Sequence, residues 1–317
     1  MPDGLGAPLE TPLFERLALI GIGLIGSSLA HVARRKRLAK TIVASDGAPA
    51  VCKRVAELGF ADEVTENAAA AVQGADLAIL CVPVGAMGKV GELIGPHLAD
   101  GAILSDVGSV KGAVVAAVAP HLRAGIHFVP GHPVAGTEHS GPDAGFAALF
   151  HNRWTILTPP ADTDEGAVAK LAAFWRAAGA NVEVMTPAHH DLVLAITSHV
   201  PHLIAYNIVG TAAHLEEVTQ SEVIKFSAGG FRDFTRIAAS DPTMWRDVFL
   251  NNKEAVLEML GRFNEDLIAL QRMIRYGDGQ GLFDLFTRTR AIRRNIIDLG
   301  QETRAADFGR RIAEQDK

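Results

Sequence analysis

The chain is 317 residues long, 48% hydrophobic and 21% charged, with a formal net charge of −6 at pH 7. That length exceeds one ordinary core and suits two domains, since single cores stop growing near roughly 250–300 residues. The charge balance excludes a broad positive field for nucleic acid or anionic membrane, the two cysteines exclude a disulfide framework or zinc site, and no uninterrupted apolar run reaches the ~20 residues of a bilayer span.

Residues 1–12 hold Asp3, Glu10 and three prolines, with no basic start or apolar stretch of a secretion signal, and read as a flexible tail on a cytoplasmic protein. From residue 13, apolar runs at 17–20, 41–44, 77–82, 102–104, 128–129, 154–157 and 182–184 alternate with longer amphipathic stretches. Continuous apolar strands separated by helical patterns are what a parallel sheet covered on both faces requires. Residues 13–185 are therefore expected to form an α/β, Rossmann-type, mostly parallel domain. Within it, Arg34-Arg35-Lys36-Arg37 reads as the solvated end of a helix.

Beyond Met185 the strand signal stops and helical patterns follow at 189–214, 242–276 and 282–299, the last two parted by Gly277-Asp278-Gly279-Gln280-Gly281. Residues 186–317 are expected to be an all-helical domain. Its long apolar face between 245 and 274, with Val256, Met259, Phe263 and Leu267, implies packing against a second copy of the chain.

Gly21-Ile22-Gly23-Leu24-Ile25-Gly26 follows the first strand and opens a helix, the context that gives this glycine spacing meaning. Gly21 permits the tight turn, Gly23 lets backbone approach a pyrophosphate, and Gly26 lets helix and strand close up, while Leu24 and Ile25 begin the helix whose free N–H groups face the anion. Asp46 ends the second strand about 25 residues later, where a carboxylate accepts hydrogen bonds from ribose hydroxyls and repels a 2′-phosphate. NAD is thereby favoured; a solvated turn is the other reading of Asp46, and Lys53 or Arg54 leaves NADP open. Cys81, Val82 and Pro83 end the strand expected to border the cofactor, or simply stop it.

Ser105-Asp106-Val107-Gly108-Ser109-Val110-Lys111 and Pro130-Gly131-His132-Pro133-Val134-Ala135-Gly136-Thr137-Glu138 also leave strand ends, the side on which open α/β sheets bind ligands. With GIGLIGSSLA, TSHVPHLIAY and GGFRDFTRIAASDPTMW they give the chain its likeness: over nearly its whole length it resembles the prephenate/arogenate dehydrogenases of tyrosine biosynthesis. The resemblance implies NAD(P)-dependent oxidative decarboxylation of prephenate or arogenate, and a homodimer through the helical domain. It makes His132 the acceptor for the substrate 4-hydroxyl and places Ser109 between hydroxyl and nicotinamide. Ser109 is equally suited to cap a helix at 110–118.

His202 becomes a substrate-binding donor, and His199 its support or a satisfied core histidine; their spacing on one helical turn also suits a metal, but no third ligand completes a zinc pattern. His189 and His190 read as solvated. Glu138 is expected to be a polar gating residue near the substrate. Arg236, in a loop after the Gly229-Gly230 turn, would clamp a substrate carboxylate; apart from the resemblance, it reads as a surface salt bridge to Asp233 or Asp241. Two alternatives are a β-hydroxyacid-type dehydrogenase, disfavoured by the lack of a lysine at 189–214, and a non-catalytic NAD sensor, disfavoured by the presence of His132, Ser109 and Arg236.

Overall fold

The computed structural model describes residues 6–137, 139–219 and 228–298. The strand Phe14–Ile20 (β1) pairs in parallel with Ala39–Ser45 (β2) on one side and Leu77–Leu80 (β4) on the other. Glu63–Thr65 (β3), Ile103–Asp106 (β5) and His127–Phe128 (β6) complete a six-stranded sheet in the order β3-β2-β1-β4-β5-β6. Side chains alternate across it: Leu17 and Leu19 enter a core with Phe14, Phe174 and Trp175, while Ala18 and Ile20 enter another with Leu80, Leu104 and Val118. Because β4 and the inner part of β1 are buried on both faces, Leu17–Ile20 and Leu77–Leu80 are apolar without alternation. The chain order reverses between β1 and β4, creating a crevice at their carboxyl ends.

A second sheet, unanticipated as a separate unit, contains Gly131–Pro133 (β7), Trp154–Leu157 (β8) and Asn181–Val184 (β9), with β7 antiparallel to β8. The first domain's helices are Leu24–Lys36 (α1), Pro49–Leu58 (α2), Ala68–Ala71 (α3), Met87–Ile94 (α4), Gly112–Val118 (α5) and Glu165–Ala177 (α6), and α1 runs back from the crevice. Its basic end is not simply solvated: Lys36 is buried and its ammonium donates to the Ala7 carbonyl, while Leu9 N–H bonds the Lys36 carbonyl, so the inner part of the N-terminal stretch lies across the helix end.

The helical domain opens on Pro187–Leu194 (α7), capped by Thr186, passes through a π-helical turn at Ala195–His199, and continues as Val200–Thr219 (α8). The stretch Pro187–His214 has the length and mean hydropathy, 1.5, of a membrane span. Its His190 and His199 are nevertheless fully buried and Asp191 bonds the first domain, so its polar residues tie this helix to the rest of the protein. The expected unbroken helix at 245–274 is interrupted at Asn252, giving Pro242–Asn251 and Lys253–Tyr276, followed by Gly279–Asp298. Gly229-Gly230 is not a turn but the start of a short helix, Gly229–Thr235, and Arg236 begins the 3-10 turn after it. Within Lys253–Tyr276 only Val256 and Met259 are buried, leaving Leu257, Leu267, Ile268 and Ile274 on an exposed apolar face with Phe283 and Phe286.

Candidate active site

At the end of β1, Gly21 takes φ +96°, and a Cβ there would meet the Cys81 backbone at 2.8 Å. A Cβ on Gly26 would stand 2.2 Å from the Gly21 carbonyl, so helix and strand touch as the glycine spacing predicts. Gly23 differs: nothing lies within 4 Å of its Cβ position, and α1 has no side-chain cap. The backbone N–H groups opened by Gly23, Leu24 and Ile25 therefore face open space, the cradle that a pyrophosphate fits. Asp46 lies against this loop, accepting from Ile22 N–H and Ala48 N–H at 2.9 Å each. Arg54, a candidate for a 2′-phosphate, is instead engaged with Asp143 and Glu57. Cys81 and Val82 form the wall behind Gly21 while Pro83 starts the 3-10 turn Val84–Ala86, and burial, then the nearby Asp106 charge, pushes the Cys81 thiol pKa up.

Beyond the end of β5, Lys111 is fully buried and donates to Asp106 Oδ2 and, at 2.7 Å, to the Gly131 carbonyl. Asp106 accepts from Gly108 N–H at 2.8 Å and from Gly131 N–H at 3.3 Å. Gly131 is thus held on both sides, and with it His132, the next residue in β7. His132 is 7% exposed; its Nδ1 lies 2.8 Å from His190 Nε2, and His190 Nδ1 lies 2.8 Å from Asp191 Oδ1. Asp191 also accepts from Lys111 N–H and Gly112 N–H at 2.8 Å, capping the helix Gly112–Val118 (α5) from the other domain. Ser109 therefore does not cap that helix; it lies, half-buried, three residues before it. His190, read as solvated, is fully buried because α7 packs its first turn onto α5.

His199 Nδ1 meets the Asn252 amide at 3.1 Å, and the same amide donates to the Asp191 carbonyl at 2.9 Å. His202 stacks on Trp245 with ring centroids 3.7 Å apart and shares its Nδ1 proton with the Ser198 carbonyl. Burial lowers the His202 pKa, and the Arg236 charge lowers it further, which sets Arg236 beside this ring. Glu138 lies outside the described residues. Sequence reading missed His190, Asp191, Asn252 and Lys111; the visible signal was three polar residues, His189-His190-Asp191, opening an otherwise apolar helix. Among the described residues no cluster has metal-ligand character.

All four imidazoles have folded-state pKa values below the ordinary 6.5. Burial is the first cause in each; like charge among the rings adds to it for His132 and His199, the latter reaching about 4. Unfolding then takes up protons below about pH 6.5, so stability is present above that pH and declines as the pH falls through the folded values. From pH 7 to pH 5 the expected loss is about 1.4 kcal/mol per pH unit for each imidazole whose window is crossed. Denaturant titrations at the two pH values measure it; equal stabilities would mean the rings protonate while folded.

A dinucleotide cradle at the switch point of a parallel sheet, with a helical domain docked over the strand ends, defines a Rossmann-type dehydrogenase. Comparison with known proteins narrows this. The nucleotide-binding domain of prephenate dehydrogenase matches residues 29–184, and the dimerization domain of prephenate dehydrogenase matches residues 186–288. A cyclohexadienyl dehydrogenase from Zymomonas mobilis is 42% identical over 281 residues, covering 89% of this chain and 96% of that protein. The prephenate dehydrogenase from Aquifex aeolicus, solved in complex with hydroxyphenyl propionate and NAD+, superposes with a TM-score of 0.83 at 33% identity, over 89% of this chain and 98% of that one. An arogenate dehydrogenase from Synechocystis gives 0.75 at 28% identity, over 89% and 99% of the two chains. The chain belongs to the prephenate dehydrogenase family.

Proposed function

We propose that this chain catalyses the oxidative decarboxylation of prephenate, arogenate or both in tyrosine biosynthesis, as a cytosolic, NAD-preferring homodimer. The carrying observation is His132: a buried, neutral imidazole pinned beyond the sheet's carboxyl edge, on the side where the glycine loop would hold a dinucleotide. Bound there, a nicotinamide cofactor supplies the acceptor for the hydride leaving the ring carbon that bears the hydroxyl. His132 Nε2 accepts the hydroxyl proton as the C–O bond gains carbonyl character, a role suited to an imidazole that is unprotonated near pH 7. The pair from the breaking carbon–carboxylate bond passes into the ring as carbon dioxide leaves, and the phenolate oxygen takes the proton back. Ser109, from its motif, hydrogen-bonds the hydroxyl. The exposed apolar face of Lys253–Tyr276 supports the dimer, since a monomer rarely leaves such a surface bare.

The test is turnover of prephenate and arogenate, each with NAD and NADP. NAD is expected to give the higher kcat/KM because the Asp46 carboxylate beside the loop repels a 2′-phosphate. Absence of turnover with both substrates would overturn the activity, and a higher kcat/KM with NADP would overturn the Asp46 reading.

Both substrates carry carboxylates, and Arg236 is the cation whose field reaches His202. Arg236→Gln is expected to weaken substrate binding by about 2–5 kcal/mol, the range for breaking a desolvated charge pair, with Arg236→Lys recovering part of it. The Michaelis constant reports this; an unchanged value with a lower melting temperature would make Arg236 a structural residue.

A further inference from the structure

Asp191, His190 and His132 stand in line, and chemistry alone sets the direction of each hydrogen bond between them. Asp191 is ionised: burial opposes its charge, but hydrogen bonds from His190, Lys111 N–H and Gly112 N–H outweigh burial and bring its pKa below the ordinary carboxylate value. A carboxylate can only accept. The 2.8 Å contact with His190 is therefore an Nδ1–H donation from the ring. A neutral ring protonated at Nδ1 carries its lone pair at Nε2, so His190 Nε2 must accept from His132 Nδ1–H across the next 2.8 Å. His132, neutral and protonated at Nδ1, is left with a bare lone pair at Nε2.

We infer that His190 and Asp191 are positioning residues that hold His132 in the tautomer whose Nε2 can accept a proton, and that offset the charge arriving there. The inference rests on the reading of His132 as the acceptor for the substrate hydroxyl. A proton transferred to Nε2 makes an imidazolium whose Nδ1–H points at His190 Nε2, so the positive charge spreads over two rings toward the Asp191 carboxylate. The proton later returns to the phenolate oxygen, and the line ends as it began. Burial first, then the charges of His190, Lys111 and His199, oppose protonation of His132; at His190 burial is opposed first by the Asp191 hydrogen bond, with the Asp191 and Asp106 charges also favouring the protonated ring against Lys111. The Asp191 carboxylate also caps α5, so its place is fixed by two backbone N–H groups of the other domain. His190 itself is fully enclosed and takes its orientation from the two bonds.

Nitrogen-15 chemical shifts of the histidine rings in the wild-type protein test the tautomer without reference to turnover. The expected pattern is His132 protonated at Nδ1 and bare at Nε2; a proton on Nε2 would overturn the inference. Two variants test its effect on rate. Asp191→Asn removes the charge whichever way the amide turns, and is expected to lower kcat by about 10²-fold. His190→Gln leaves Asp191 on α5, so the domains stay docked, and is expected to lower kcat by about 10-fold or more through loss of the second ring. In both, the substrate KM and cofactor Kd are expected to stay within about two-fold, a split that general loosening of the site would not give. Should Asp191→Asn fail to fold, His190→Gln carries the rate test alone. Wild-type kcat in the folded variants overturns the inference. His132→Asn serves as the control: normal turnover there would sink the acceptor reading itself, whereas a loss there with intact His190→Gln and Asp191→Asn would sink only the relay.

Discussion

His132→Asn is expected to lower kcat by about 10²–10⁴-fold while leaving cofactor affinity nearly unchanged, the range for loss of a positioned proton acceptor. A dinucleotide at the glycine loop would be held by backbone N–H groups at the start of α1, not by this side chain, so its binding has no reason to change. Asparagine keeps a hydrogen-bonding group near His190 but has no basic nitrogen for the substrate proton. Steady-state turnover with a separate cofactor titration checks this. A variant that turns over normally would exclude proton transfer at His132, and one that loses the cofactor as well would point to collapse of β7.

Lys111→Met is expected to destabilise the fold by about 3–5 kcal/mol, the cost of stripping one partner from a buried charge pair. Both side chains of the pair are fully buried, and the Gly131 carbonyl loses its donor at the same time. Burial pushes the Asp106 pKa up and Lys111 opposes that, so without lysine the carboxyl group can take a proton, and the loss should shrink in acid. Adding Asp106→Leu to Lys111→Met should recover much of the stability, because the buried charge then has no counterpart left to miss. Denaturant midpoints at pH 7 and 5 decide it; a single variant within about 1 kcal/mol of wild type would show that water reaches Asp106.

Lys111 also shows where sequence reading stopped. It stood in plain view in Ser-Asp-Val-Gly-Ser-Val-Lys, but nothing in that string says that the ammonium turns inward onto Asp106 and Gly131. The first domain was legible because strand segments buried on both faces must be apolar throughout, as β4 and the Leu17–Ile20 part of β1 are. The strand β3 escaped because it is a three-residue edge, Glu63-Val64-Thr65, with no face fully buried. The strand β7 escaped because Gly-His-Pro has no strand propensity and is extended only through its pairing with β8. At the site, His132, Ser109, His202 and Arg236 came from motifs, whereas His190 and Asp191 act across a domain boundary, and a helix's first turn looks solvated until something packs on it. The break at Asn252 was hidden for a related reason: its amide turns inward to Asp191 and His199, a tertiary demand that overrides the helical periodicity around it.

The π-turn at Ala195–His199 sets the angular phase of everything after it. In an unbroken α-helix each residue advances by about 100°, so His199, eight residues past Asp191, would point about 80° away from it. A π-turn absorbs one residue without advancing the helix, which brings His199 to within about 20° of Asp191. That coincidence of direction is what lets one Asn252 amide bond both the Asp191 carbonyl and the His199 ring. Deleting the absorbed residue would give a regular helix with His202 still facing Trp245, whereas winding every residue into an unbroken α-helix would rotate His202 by about 100° off Trp245 and carry the rest of α8 round with it. The irregular turn thus acts as a phase adjuster, putting two polar groups from separate turns of one apolar helix onto a shared line.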